Sequence, residues 1–364
     1  MTRMVSPTRP ALAWESSVPK ILTGTVAGGW PPQPASVESR GKSPESLDFS
    51  ILREFLCEDY APPGIDPRKS PETIAKRLRV SPATVRRRLT LWRTRGFLRG
   101  YDVVPNPGLF GGRLVARLID FRDAVVQERA IGSLSLIDGM IQIVPARTEL
   151  LVVYFVDSES QAERRLRQLG EVDGVLQIGP ELPFEFPPCL HQMSRLDWRL
   201  VLSLRRNPEA SLGELAQELG QSTRTTSRRF DALLDEGALM FDPILDFSRF
   251  TATLVVLIVT TGSPEILEET VRQVRALHPQ TMRSWGPPLV DQHGGKVPTV
   301  HFWVSAPTFA ELDELRARVA HLPGVREVVL WDGRLMIRLR TWLNERIEAM
   351  VRLGEAAAGG VRRA

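Results

Sequence analysis

Hydrophobic positions along the chain follow a helical period in two separate stretches, and each stretch gives way to segments in which apolar and polar residues alternate. In the first stretch, Val85, Leu89 and Trp92 fall within one narrow arc at about 100° per residue, the signature of a helix with one buried face. Ser81 before it is a capping residue, Pro82 suits the first helical position, and Gly96 marks the end. Shorter amphipathic segments precede it at Leu47–Glu58 and from Ser70 onward, with a loop, DYAPPGIDPRK, between them. Three helices with a short turn before the third are the layout of a helix-turn-helix. The following YDVVPNPGLFG predicts a strand and a wing turn.

The same grammar returns later. With Ser70 set against Ser211, the runs Ser70–Gly100 and Ser211–Phe241 align without a gap, and Ser81, Arg87, Arg88, Gly96 and Leu98 meet Ser222, Arg228, Arg229, Gly237 and Leu239. Leu196–Arg206 supplies the preceding helix. After each helical stretch the period shortens to that of strands, in RLVARLIDF (113–121) and ATLVVLIVT (252–260). The first half then predicts a helix near 123–133, strands near 139–145 and 149–156, a helix at 158–169 and a strand near 174–181. The second predicts a strand at 252–261, a helix at 264–277, strands at 281–287 and 297–305, a helix at 308–321 and a strand at 325–331, then a terminal helix, TWLNERIEAMVRL. Two helices on one face of a four-stranded antiparallel sheet bury both hydrophobic faces in a small layered fold.

The fold class is therefore α+β, a tandem duplication of winged helix-turn-helix and ferredoxin-like (βαββαβ) domains. The predicted divisions are a disordered leader at 1–45, a winged helix-turn-helix at 46–111 and a ferredoxin-like domain at 112–190. A second winged helix-turn-helix at 191–250, a second ferredoxin-like domain with its C-terminal helix at 251–345, and a tail at 346–364 follow.

Charge separates the halves. The net charge of +4 says little, and the scarcity of lysine among 47 basic residues means that arginine position matters more than arginine number. Over 70–99, nine basic residues face the single acid Glu72, a net +8; over 211–240, three arginines face five acids, a net −2. On the first helical wheel the outer face carries Ala83, Arg87, Thr90 and Thr94, with Thr84 beside it, and Arg86, Arg93, Arg88 and Arg95 flanking. A small, polar and basic face is what a helix entering the major groove needs: arginine bonds guanine edges in a bidentate manner and flanking arginines reach phosphates. The predicted DNA-binding residues are Ser81, Ala83, Thr84, Arg86, Arg87, Arg88, Arg93 and Arg95, with Arg228 and Arg229 as a weaker second set. The partner is double-stranded DNA.

These residues give the chain a likeness to the feast/famine, or leucine-responsive (Lrp/AsnC-type), regulators of bacteria and archaea, over roughly residues 46–345. It rests on Ile74-Ala75, Ser81, Thr84-Val85, Arg88-Leu89 and Gly96-Phe97-Leu98, continued by Gly100-Tyr101, Leu109-Phe110-Gly111, Asp138-Gly139-Met140 and Gly174-Val175. The resemblance implies ligand-sensing ferredoxin-like domains, self-association through the sensor sheets, pseudo-palindromic DNA, and an amino acid or related small molecule as effector. A chain with two such units is then its own pseudo-dimer. The sensor hairpin departs from the family pattern: PARTEL (145–150) puts Ala146 and Glu149 where a glycine and an aspartate are usual, and the second half has a longer loop, SWGPPLVDQHGGKVP (284–298).

Two other classes compete. Sirohaem decarboxylases of haem biosynthesis resemble the same regulators and work with histidine and arginine beside a tetrapyrrole. The five histidines here, His191, His278, His293, His301 and His321, form no histidine-tyrosine-arginine run, although His278, His293 and His301 are placed to meet near the second sheet. The other class is an interaction module without DNA binding, suggested by the acidic second reader. No phosphate loop, nucleophile elbow or paired-carboxylate pattern appears, so the reading is of a non-enzymatic protein with no cofactor and no metal. Two cysteines, Cys57 and Cys189, without metal-ligand spacing fit a reducing cytoplasm. No apolar run is long enough to span a bilayer, and the N-terminus lacks a secretory apolar segment.

Overall fold

The computed structural model describes residues 44–56, 70–184, 186, 188–284, 286–291, 295–333 and 335–361. The predicted leader (1–45, save its last two residues), the whole 59–69 loop, Cys57 and His293 lie outside the described residues.

The first half runs α1 (Pro44–Leu56), α2 (Pro71–Leu78), α3 (Pro82–Arg95), β1 (Leu98–Pro105), a 3-10 turn at Pro107–Phe110, β2 (Arg113–Phe121), α4 (Ala124–Ser135), β3 (Met140–Pro145), β4 (Glu149–Val156), α5 (Glu159–Gly170), β5 (Val175–Ile178) and β6 (Leu182–Phe184). The second runs α6 (Arg195–Arg206), α7 (Leu212–Leu219), α8 (Thr223–Asp235), β7 (Leu239–Leu245), a 3-10 turn at Phe247–Arg249, β8 (Thr253–Thr261), α9 (Pro264–Leu277), β9 (Thr281–Ser284), β10 (Thr299–Ala306), α10 (Phe309–Ala320), β11 (Val325–Trp331), β12 (Ile337–Arg338) and α11 (Thr341–Val361).

Serine starts the short helices of both units. Ser70, Ser81, Ser211 and Ser222 sit in extended backbone, and each Oγ accepts from the amide three residues on, satisfying a donor that the helix itself leaves free. α3 ends at Gly96 with φ 77, where glycine carries no Cβ penalty. α2 ends less easily: Arg79 adopts φ 56, the left-handed position that Gly220 fills after α7.

Both sheets are antiparallel. The first has the order β12-β3-β4-β2-β5, with β6 also on β2; the second has the order β11-β8-β10-β9. Alternation divides their side chains cleanly. On one face Val115, Ile119, Val152 and Tyr154 form a core under α4 and α5, and Val255, Leu257, Phe302 and Val304 form one under α9 and α10. The opposite faces, carrying Leu114, Leu118, Val153 and, in the second sheet, Val256, Ile258 and Trp303, look at one another across a cleft within the same chain.

The two halves are interlocked. β1 pairs with β7, Val103 against Phe241 and Asp102 against Asp242, so each strand leaving a helix-turn-helix finds its partner in the other half. This corrects the local wing turn expected from YDVVPNPGLFG: after Pro105 the chain enters the Pro107–Phe110 turn and then the first sheet, leaving no second strand nearby for β1. The packing crosses over too. Trp92, Phe97 and Leu52 of the first unit share a core with Phe247, Phe250, Leu254 and Trp303, and Trp198, Leu204 and Phe230 of the second share one with Leu114, Ala116, Val153 and Phe155. Trp92 meets Phe97 edge-on at 5.2 Å and Phe97 lies 4.8 Å from Phe250, favourable geometries for ring quadrupoles.

Other boundaries moved for identifiable reasons. The single strand predicted at 174–181 is two short ones, because Pro180 has no N–H to give the ladder. The strand predicted to reach 287 ends at Ser284, just before Pro287 and Pro288. β12, unseen in the sequence, is only two residues long and joins the first sheet through β3. The tail predicted from 346 continues as α11 to Val361, because Leu343 and Ile347 are buried in the core that holds α6.

Candidate nucleic-acid interface

α3 presents the predicted surface. Val85 and Trp92 are buried and Leu89 half-buried, whereas Ala83, Arg86, Arg87, Thr90, Arg93, Thr94 and Arg95 are exposed. Ser81 caps the helix at the same end: its Oγ accepts from the Thr84 amide at 3.1 Å and lies 2.8 Å from the Thr84 hydroxyl. The arginines divide by what they already hold. Arg86 pairs with Glu72 of α2, and Arg93 with Glu209 of the second unit and with the Tyr101 hydroxyl. Arg87 and Arg95 form no salt bridge among the described residues.

Arg88 is a correction. Its side chain is 16% exposed, and Nη1 lies 3.4 Å from Oδ2 of Asp48, a fully buried aspartate of α1. Arg229, aligned with it in α8, does the same with Asp197 of α6, donating to Oδ1 at 2.9 Å and to the Ser194 hydroxyl at 3.1 Å. Both arginines fasten the third helix of a unit to its first and are withdrawn from the groove-facing surface. The sequence signal is divided along the chain: Arg88 lies on a predicted flank of its helix, and the aspartate it holds precedes it by 40 residues.

The two clasps differ electrostatically. Burial pushes the Asp48 carboxyl above its ordinary value, against the pull of the Thr251 hydroxyl, Arg88 and Arg95. Burial pushes Asp197 the same way, but hydrogen bonds from the Ser194 hydroxyl and amide, from Arg229 and from His191 outweigh it and hold that carboxyl below its ordinary value. The second unit is thus the better braced, and a capping box at Ser194–Asp197 adds to it. Arg228 stands exposed and forms no salt bridge among the described residues, but Asp231, Asp235 and Glu236 share its face of α8.

His278 and His301 bond separate backbone carbonyls. His278 donates from Nε2 to the Ser305 carbonyl at 2.8 Å, and His301 from Nε2 to the Pro287 carbonyl at 3.0 Å. No group of three or more histidine, cysteine, aspartate or glutamate side chains is placed to hold a metal among the described residues. Burial drives the His301 imidazole down to about 4. At the PARTEL hairpin, the carbonyls of Ala146 and Glu149 are both occupied by the Gln127 side-chain amide, at 3.0 and 2.7 Å.

A family model described as winged helix-turn-helix, DNA-binding, matches residues 193–239, which hold α6, α7 and α8. The HTH-type transcriptional regulator LrpA of Pyrococcus horikoshii is 25% identical over 144 residues, covering 37% of this chain and 93% of that protein. Residues 193–239 are thus similar to a winged helix-turn-helix, and part of the chain is similar to a regulator of Lrp/AsnC type. Among solved structures, the siroheme decarboxylase NirDL is similar over 86% of this chain and 99% of its own, at 14% identity and a TM-score of 0.48. AsnC of E. coli is similar over 40% of this chain and 95% of its own, at 17% identity and a TM-score of 0.28. The family model falls on the helix-turn-helix unit whose net charge is negative. No helix among the described residues is long and apolar enough to cross a membrane.

Proposed function

We propose that the chain is a sequence-specific, non-enzymatic transcription regulator that binds double-stranded DNA mainly through α3, with α8 as an auxiliary reader. The observation that carries this reading is the outer face of α3, where Arg87 projects among Ala83, Thr90 and Thr94 with no protein ion pair among the described residues. A long, uncommitted guanidinium beside small side chains can approach base edges without a steric barrier. Around it Arg86, Arg93 and Arg95 offer the positive potential that draws phosphates, and the corresponding face of α8 is crossed by Asp231 and Asp235.

We further infer that one chain works as an internal pair. The β1–β7 ribbon and the crossed cores tie two readers of like element order into one body, and the sheet pairing that the resemblance implies between chains is available inside one. An effector acting at the sheets belongs to this reading, since Val104 and Asp242 of the ribbon also line the cleft between them.

Footprinting of genomic fragments tests the proposal. Protection of one strong half-site, weakened steeply by salt and lost in R87E, is the expected result. Two equally protected sites about one helical turn apart would show that α8 reads as well as α3. No protection at low salt, with Nile red or a tetrapyrrole bound tightly, would remove DNA binding from the account.

A further inference from the structure

A cleft between the two sheets plays no part in the DNA-binding surface. It holds a cavity of about 150 Å³, and its walls are almost wholly apolar. Trp303, Trp331, Phe184, Phe186 and Phe247 supply aromatic surface from both halves. Two sheets packed to form a core would interdigitate here at about 10 Å. These leave room for a small aromatic group.

Its few polar groups define a chemistry. The Asp242 carboxylate and the Arg338 guanidinium are paired with each other, with the Gln142 carbonyl also on Arg338, so the lining's full charges cancel. His301 is neutral near pH 7, because burial lowers it to about 4. With Nε2 donating to the Pro287 carbonyl, its Nδ1 is an acceptor. The ring lies so close to Gly286 that a Cβ there would come within 2.8 Å of it, which fixes the imidazole against the loop. Ser284 Oγ, on a residue 7% exposed, and Trp331 Nε1 have no hydrogen-bond partner among the described residues. A buried hydroxyl without a partner is destabilising, and a ligand acceptor removes that cost.

We propose that the cleft binds one uncharged, ring-bearing, largely apolar small molecule that presents a hydrogen-bond acceptor to Ser284 and Trp331. A zwitterionic amino acid does not suit this site, since no lining charge is left over to meet its carboxylate or ammonium. The proposal rests on the effector half of the regulator reading and not on DNA binding.

Two neutral probes test it on the full chain: Nile red, which carries a carbonyl, and pyrene, which carries no acceptor. Both are expected to bind saturably at one per chain, with energy transfer from tryptophan. S284A should weaken Nile red about fivefold and leave pyrene unchanged, as loss of one hydrogen bond would. Equal weakening of both dyes would overturn the role given to Ser284. V256W, or I258F as a second filling variant, should abolish binding of both dyes while circular dichroism shows the fold retained. Saturable binding untouched in a folded filled variant, or no saturable binding to the natural chain, overturns the site. DNA binding is read by anisotropy on the same samples: dye binding without DNA binding counts against the regulator reading alone, and the converse against the cleft alone.

Discussion

Arg88 reaches Asp48 at 3.4 Å, and the aligned Arg229 reaches Asp197 at 2.9 Å, so the third helix of each unit is clasped to the first by the same ion pair. Asp48 and Asp197 are almost completely buried, and an unpaired charge at either place would be poorly solvated. An arginine run that reads as one continuous basic patch therefore has two jobs, and neighbouring substitutions separate them.

R87E is expected to reduce DNA affinity at least tenfold, to lower the salt slope by about 1, and to leave thermal stability unchanged, as for an exposed side chain. R88E is expected to destabilise the protein by about 3 kcal/mol or more, because a second carboxylate would face buried Asp48. Anisotropy titrations and denaturant curves on the same two variants check this. Equal stability losses in both would contradict the division.

Glu209 holds Arg93 from the second unit and neutralises part of the α3 surface. E209Q should raise DNA affinity several-fold at low salt, with little change at high salt, where the pair is screened anyway. Stability should move by less than about 1 kcal/mol, as exposed pairs contribute little. Unchanged affinity across a salt series would place Arg93 away from the phosphates.

Arg79 occupies a left-handed backbone position, φ 56, that its counterpart Gly220 fills without strain. R79G is expected to stabilise the first unit by about 1 kcal/mol, measured by the unfolding midpoint. If Arg79 also touches phosphate, the same variant loses DNA affinity while gaining stability.

The acid response of the second clasp follows from the depressed carboxyl of Asp197. A carboxyl lowered in the folded state contributes stability that is present above the ordinary value of 3.8 and is lost as pH falls through the folded value. D197N should therefore be destabilised at pH 7, and the gap to the natural chain should close as pH is taken below 3.8. D48N should show a smaller gap at pH 7, since burial raises Asp48 and its ionised form is the costly one.

His301 acts in a different window. Its folded value of about 4 lies below the ordinary 6.5, so the neutral ring contributes stability that is complete above pH 6.5 and falls away between 6.5 and about 4. Replacing it by phenylalanine is expected to flatten the stability profile across that interval, an effect on the order of 3 kcal/mol at most. An imidazole resonance that titrates near 6.5 in the folded protein would show the ring to be solvated.

Local signals determined most of the elements. Ser81, Pro82 and Gly96 bracket α3 because capping and left-handed closure are chemistry of adjacent residues, and alternation in 113–121 and 252–260 marks β2 and β8 because a pleated strand places every second side chain on one face. The wheel of α3 likewise put Arg87 outward from sequence alone. Tertiary structure decided what long-range pairing decides: that β1 joins β7, that each helix-turn-helix unit packs on the other half's sheet, that Arg88 and Arg229 turn inward to buried aspartates, and that Ser284, His301 and Trp331 meet in one cleft. Those choices depend on which hydrogen-bonding edges, charges and apolar faces find one another across more than 30 residues of chain, and no local period records that.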